Sequence, residues 1–137
     1  MLDVSIRAGI LNILKSLSRE TGVAILYISH DLSTIRYTCH RTAIMYLGRI
    51  VEIGPTLSVL KQPFHPYSKA LISAIPVPDP HYRRERLELK GEIPDPIDLP
   101  HGCRFHPRCE KKQKMCMEEE PVLRTVGEDH QVACHTI

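Results

Sequence analysis

Residues 27–55 read YISHDLSTIRYTCHRTAIMYLGRIVEIGP and decide the predicted fold. They begin inside a continuous apolar run, Val23 to Ser29, whose β-branched and aromatic residues predict a strand buried on both faces, as in parallel sheets. A short helix is expected from Leu32 to Cys39. Two further apolar runs, Thr42 to Leu47 and Ile50 to Ile53, are separated by a glycine-containing turn and predict a hairpin.

Upstream of this stretch, the segment from Asp3 to Glu20 is expected to form an amphipathic helix. Apolar residues recur every three or four positions and form a stripe along one face: Ile6, Ile10, Ile13, Leu14 and Leu17. Leu11 lies at the edge of this stripe. A helix followed by a buried strand predicts α/β architecture. One buried strand and a hairpin bury too little surface to form a sheet with helices on both faces, so we expect the α/β piece to be the end of something larger.

Downstream, two short helices are expected, Thr56 to Lys61 and Tyr67 to Ile75. The proline-rich stretch from Pro76 to Gly102 then excludes long regular elements, with at most one strand at Leu87 to Lys90. A small cysteine-bearing tail, expected to be irregular, follows this linker.

Composition argues against several classes of function. The formal net charge is only +2 and the basic residues are scattered, so composition offers no case for nucleic-acid binding. No apolar run approaches the roughly 20 residues needed to cross a bilayer, and the first residues do not resemble a signal peptide. We therefore expect the chain to stay in the cytosol.

Four cysteines crowd the last part of the sequence: Cys103, Cys109, Cys116 and Cys134, spaced C-x5-C-x6-C-x17-C. In a reducing cytosol such a cluster indicates metal more often than disulfides. The gaps are wider than those of a zinc knuckle, which favours a larger iron–sulfur cluster and leaves zinc, unligated cysteines or disulfide-linked cysteines as alternatives. Three neighbouring histidines are alternative zinc ligands: His106, His130 and His135. Cys39 stands apart and is expected to be a buried small apolar residue.

His30 and Asp31 follow the predicted buried strand directly. Open α/β sheets place their ligand chemistry at the carboxyl ends of strands, so a histidine at this position can contact a phosphate. The alternative is structural, with His30 capping the next helix or bonding to a loop carbonyl.

Taken whole, residues 27–55 resemble the switch-histidine segment of ABC transporter ATPases, in which a buried strand runs into S-H-D and then a hairpin with M-Y-L-G-R-I-V-E-I-G. The resemblance implies that His30 contacts the γ-phosphate of ATP and orients the attacking water. The opening Leu2 to Ser5 resembles the end of the family's D-loop, which implies that Asp3 contacts the companion ATPase across a dimer interface.

Residues 62–80, QPFHPYSKALISAIPVPDP, resemble the oligopeptide and dipeptide branch of that family. Within them His65 is expected to be structural, in a turn that docks Phe64 and Tyr67 on the hairpin. In this branch the cysteine tail is associated with a [4Fe-4S] cluster, so the resemblance implies that Cys103, Cys109, Cys116 and Cys134 are its ligands.

The resemblance divides the chain into the end of an ATPase core (1–61), a docking segment (62–80), and a linker with the four-cysteine tail (81–137). It implies a peptide importer whose ATP-binding subunit works with a companion ATPase and transmembrane permeases, on the inner face of the cell membrane.

The sequence also departs from the family. It contains no G-x-x-x-x-G-K-[ST] loop, signature helix or Walker B carboxylates, the parts that hold ATP and Mg²⁺ in a complete subunit. This chain alone is therefore expected neither to bind ATP tightly nor to hydrolyse it. Two other interpretations stay open: a stand-alone iron–sulfur or zinc module that binds a protein partner, and an inactive truncated product.

Overall fold

A computed structural model describes residues 4–75 and 87–137 and divides the chain into two compact units, Met1–Cys39 and His40–Ile137. The D-loop role predicted for Asp3 lies outside the described residues. Within them, no helix combines the length and the apolar character needed to cross a bilayer.

Two helices build the first unit, α1 (Val4–Thr21) and α2 (Leu32–Thr38), both close to the predicted ranges. The Tyr37 hydroxyl donates to Asn12 Oδ1 at 3.0 Å, and Lys15 Nζ lies 4.1 Å from the centre of the Tyr37 ring. These contacts are exposed to solvent, so each contributes little to stability.

The strand predicted from Val23 to Ser29 is wrong. This segment forms no strand, and Leu26 and Ile28 are 88% and 86% exposed. A strand needs a hydrogen-bonded neighbour, and no strand among residues 4–75 and 87–137 pairs with this segment. Most of the apolar stripe of α1 is also exposed, whereas Leu11 at its edge is buried. The exposed members are Ile6, Ile10, Ile13 and Leu17.

The second unit contains a four-stranded antiparallel sheet, formed by β1 (Arg41–Tyr46), β2 (Arg49–Pro55), β3 (Leu123–Gly127) and β4 (His130–Ala133) in the order β1-β2-β4-β3. The predicted hairpin is confirmed as β1 and β2. Its turn, Leu47 and Gly48, has positive φ at both residues, as a two-residue type I′ turn requires.

The second hairpin, β3 and β4, was not predicted. It pairs with the first through Glu52 opposite Val132 and Ile53 opposite Gln131. The expectation of an irregular tail is therefore wrong for this part of the chain, because the pairing of β4 with β2 makes the tail hairpin half of the sheet.

Short helices complete the second unit: α3 (Thr56–Lys61), α4 (Pro66–Ser73), a 3-10 turn (His106–Arg108) and α5 (Lys114–Glu118). No strand forms at 87–90. Pro66 takes the first position of α4, and His65 Nδ1 accepts the Tyr67 N–H at 3.1 Å. His65 thus caps the helix, the structural role expected from the sequence.

An aromatic cluster fills the core of the second unit. Phe105 is 2% exposed, and its ring centre lies 5.2 Å from Tyr46, 5.4 Å from His65 and 5.7 Å from Tyr67. These separations suit edge-on and tilted aromatic pairs. Phe105 comes two residues after Cys103. It therefore fixes the loop that carries Cys103 against both β1 and α4.

The carboxylate of Glu52 lies at the centre of this unit and is fully buried. Its Oε1 accepts the Phe64 N–H at 2.9 Å and its Oε2 the His65 N–H at 3.0 Å. The ring of His130 donates from Nε2 to Oε1 at 2.8 Å. A Cβ on Gly54 would lie 3.1 Å from that ring, so the glycine leaves room for it. One side chain of β2 thus links the α4 capping loop to β4.

We expect Glu52→Gln to lower the free energy of unfolding by about 2–3 kcal/mol, because the amide NH₂ would face a buried donor and leave it unpaired. Urea unfolding measures the loss. Glu128→Gln, at an exposed position in the β3–β4 turn, is the matched control. Equal stability of the two variants would contradict this role of Glu52.

Burial lowers the pKa of His65 from 6.5 to about 4, although the Glu52 charge pulls it upward. The unfolded chain therefore binds this proton more tightly than the folded one. We expect stability from this group to be complete above about pH 6.5 and to fall, by roughly 3 kcal/mol in total, as the pH drops towards about 4.

The measurement is urea unfolding between pH 4 and pH 7. His65→Asn keeps a capping oxygen and should flatten the dependence on pH, whereas His40→Asn, at an exposed site, should leave it unchanged. An unchanged slope in His65→Asn would show that another group titrates.

Candidate functional site

His30 lies on the surface of the first unit, just before α2. The helix is capped by the next residue, since Asp31 Oδ1 accepts the N–H groups of Ser33 and Thr34 at 2.9 and 3.4 Å. The His30 ring makes no hydrogen bond to any residue that the structure describes. The backbone around it is thus fixed while its ring is available to a ligand.

The four tail cysteines come from three different places in the second unit. Cys103 and Cys109 flank the 3-10 turn, Cys116 lies in α5, and Cys134 follows β4. All four are free thiols. Burial raises the pKa of Cys103, and the thiols of the other three raise it further. The fold therefore brings these cysteines close enough to influence one another electrostatically. Cys39, in the first unit, is only partly buried.

Each of the four sulfurs has a hydrogen-bond donor beside it. For three of them the donor is a backbone N–H: Phe105 for Cys103, Lys111 for Cys109, and Gln113 for Cys116 at 3.4 Å. The Cys134 sulfur lies 3.3 Å from the Thr136 hydroxyl. Such donors stabilise a sulfur that carries negative charge.

Burial also raises the pKa of Cys109, against the N–H and the positive charge of Lys111, which lower it. Thiols with raised pKa values are protonated at neutral pH, so metal binding must displace their protons. Among residues 4–75 and 87–137, no three Cys, His, Asp or Glu side chains are arranged to hold a single metal ion.

One hydrogen bond and one close approach of the backbone place the Cys103 loop against α5. The Cys103 N–H donates to the Cys116 carbonyl at 2.9 Å. Gly102 has φ +71°, and a Cβ there would lie 2.6 Å from the same carbonyl oxygen. Glycine is thus required both for the backbone conformation and for the close approach.

A cleft of about 550 Å³ opens beside the Cys103 loop. Its wall includes Tyr46, Arg49, Cys103, Phe105 and Ala133, the residue before Cys134. The Tyr46 hydroxyl is buried and has no hydrogen-bond partner in the described part of the chain. Free space thus borders the cysteine cluster on the side of the first hairpin.

The three histidines near the cysteines bond elsewhere. His106 Nδ1 lies 3.0 Å from the Cys103 carbonyl oxygen, and His135 Nε2 lies 2.9 Å from that of Glu119. His130 is buried against Glu52. These contacts fit loop and core roles. Sequence reasoning missed the pairing of His130 with Glu52, because the two residues lie far apart along the chain.

Comparison with known proteins gives a family match for part of the chain. Residues 51–116 match the family described as "Oligopeptide/dipeptide transporter, C-terminal region". The match includes most of β2, all of α3 and α4, and three of the four clustered cysteines.

Nearly the whole chain is similar to curated relatives. It is 49% identical to a probable peptide ABC transporter ATP-binding protein of Sinorhizobium fredii, 44% to a putative oligopeptide transport ATP-binding protein of Bacillus subtilis, and 45% to a dipeptide transport ATP-binding protein of Haemophilus influenzae. These alignments cover 98%, 98% and 99% of the chain, but only 38%, 41% and 42% of the relatives.

The chain thus spans about two fifths of the length of the curated relatives that it matches. Residues 51–116 match the C-terminal region of oligopeptide and dipeptide transporters, within a chain that is similar over nearly its whole length to peptide ABC transporter ATP-binding proteins.

Proposed function

We propose that this chain is the C-terminal part of the ATP-binding subunit that powers an importer of oligopeptides or dipeptides. The observation that carries the proposal is the similarity of 44–49% identity, over almost the whole chain, to proteins named for that role. The mixed helices and antiparallel sheet are consistent with such a part.

In this proposal His30 is the residue that contacts the γ-phosphate of ATP and orients the attacking water. Two observations support it. The His30 ring is exposed and has no partner among the described residues, and the neighbouring Asp31 fixes the backbone by capping α2. A neutral imidazole can donate to phosphate through one nitrogen while the other accepts.

The remaining ATP chemistry belongs to parts of the subunit outside these 137 residues. The phosphate-binding loop and the Mg²⁺-binding carboxylates would lie there, and Asp3 would contact the companion ATPase. The exposed apolar side chains of the first unit, such as Ile13, Leu26 and Ile28, support this division, because neighbouring strands and helices would cover them.

The partners in this proposal are a companion ATPase subunit and transmembrane permease subunits. The complete subunit would bind at the inner face of the membrane, close on ATP with its companion, and transmit the closure to the permeases. Hydrolysis would then reset the pair. Peptide selectivity would belong to the permeases and their binding proteins.

We further propose that Cys103, Cys109, Cys116 and Cys134 hold a [4Fe-4S] cluster. Four free thiols that act on one another, each beside a hydrogen-bond donor, fit the donor chemistry of such a cluster. When bound, the cluster would supply a covalent link between the Cys103 loop, α5 and the end of β4, and a one-electron redox centre. Zinc on the same thiols is the alternative that the test must exclude.

The test of the ATPase role joins this chain to the amino-terminal part of the Bacillus subtilis relative. We expect the joined protein to hydrolyse ATP, and His30→Ala to lower kcat by about 100-fold or more, because the loss of one positioned hydrogen-bond donor to the developing charge costs on that order. His40→Ala, at another exposed histidine, should keep full activity.

The unjoined chain should show no saturable ATP binding at micromolar concentrations in a calorimetric titration. Full activity in His30→Ala, or micromolar ATP affinity of the chain alone, would contradict the assignment.

The cofactor test is metal analysis of chain purified without oxygen. We expect about four irons and four sulfides per chain, the content of a [4Fe-4S] cluster, and a large loss of both in Cys116→Ser or Cys134→Ser. Cys39→Ser is the matched control and should bind normal amounts. Zinc in place of iron, or no metal at all, would rule out the cluster.

A further inference from the structure

We propose that Thr136 is a positioning residue for the metal-bound Cys134, and that its hydroxyl raises the electron affinity of the metal–thiolate centre. This inference rests on the cluster in the proposed function. It adds a role for a residue outside the four-cysteine motif.

The geometry fixes which atom donates once a metal is bound. Thr136 Oγ1 lies 3.3 Å from Cys134 Sγ, and in the free thiol either atom can donate. A metal-bound thiolate has no proton, so its sulfur can only accept. The hydroxyl of Thr136 must then donate the hydrogen bond.

The position of Cys134 makes this contact well defined. It follows β4 directly, and β4 pairs with β2 on one side and with β3 on the other. The preceding residues Val132 and Ala133 are 1% and 6% exposed. A central strand thus fixes the start of the turn in which Thr136 lies.

Thr136 differs from the other donors because its contact comes from a side chain. The donors to Cys103, Cys109 and Cys116 are backbone N–H groups, which a substitution does not remove. In the described part of the chain, Thr136 provides the one side-chain donor to these four sulfurs. It is therefore where substitution can change the hydrogen bonding at a sulfur without changing a ligand.

The expected effect follows from charge. Reduction adds one electron to the centre and increases the negative charge on its sulfurs, without forming or breaking a bond. A hydrogen bond donated to a sulfur is stronger in the more negative state. It stabilises the reduced form, and hydrogen bonds to sulfur are among the factors that set cluster potentials.

The experiment compares wild-type chain with Thr136→Val, which keeps the shape and loses the hydroxyl, and Thr136→Ser, which keeps the hydroxyl. All are loaded with iron and sulfide without oxygen and titrated with dithionite in the presence of mediators, with electron paramagnetic resonance as the readout. In Thr136→Val we expect unchanged iron content. At a given potential, the ratio of reduced to oxidised cluster should be about three- to tenfold lower than in the wild type. Tenfold corresponds to about 59 mV for one electron.

Thr136→Ser should titrate like the wild type, and Thr136→Ala serves as a second hydroxyl-free variant if the valine does not load. A wild-type potential in a fully loaded Thr136→Val or Thr136→Ala variant would overturn this inference and leave the cluster assignment standing. An equal shift in Thr136→Ser would also overturn it, because packing and not the hydroxyl would then be responsible. Wild-type chain that binds zinc only, or nothing, would overturn both the inference and the cluster.

Discussion

The second unit depends on the buried carboxylate of Glu52. A carboxylate without exposure to water is costly unless it is fully hydrogen-bonded, and here two backbone N–H groups and one imidazole surround it. These partners come from two separate parts of the chain: the loop before α4 supplies Phe64 and His65, and β4 supplies His130. The contact is therefore favourable only when the first hairpin, the capping loop and the tail hairpin are all in place together.

This constraint extends to the cysteines. Cys134 comes four residues after His130 and directly after the end of β4, so the contact that fixes His130 also fixes the register of the strand leading to Cys134. At the other end of the cluster, Phe105 packs against His65, whose backbone N–H binds Glu52. Cys103 and Cys134 are 31 positions apart in the sequence. Both are nevertheless positioned by segments that contact the Glu52 carboxylate or its partners.

The sequence predicted elements whose signals are local. The β1–β2 hairpin followed from apolar runs on either side of a two-residue turn, and α4 followed from a proline at its first position. The apolar run at 23–29 is typical of a buried strand, but a strand forms only where neighbouring strands supply hydrogen-bond partners. The tail hairpin did have a local signal, since Gly127 to Asp129 lie between β-prone residues. The tail was interpreted through its cysteine spacing alone, so this signal was missed. Glu52 had none, because a carboxylate in a strand looks like a surface residue until its distant donors are known.

The two candidate sites differ in what they require. The second unit has a closed core, with Val59, Phe105 and Val132 at 2% exposure or less. All four clustered cysteines belong to this unit. The first unit carries His30 and leaves large apolar side chains exposed. In the proposed function, phosphate chemistry at His30 therefore depends on surfaces that other parts of the subunit supply. The sulfur site depends on contacts made within residues 40–137. In the proposed function, the two kinds of chemistry are thus separable, since the contacts that position the cysteines do not include those that position His30.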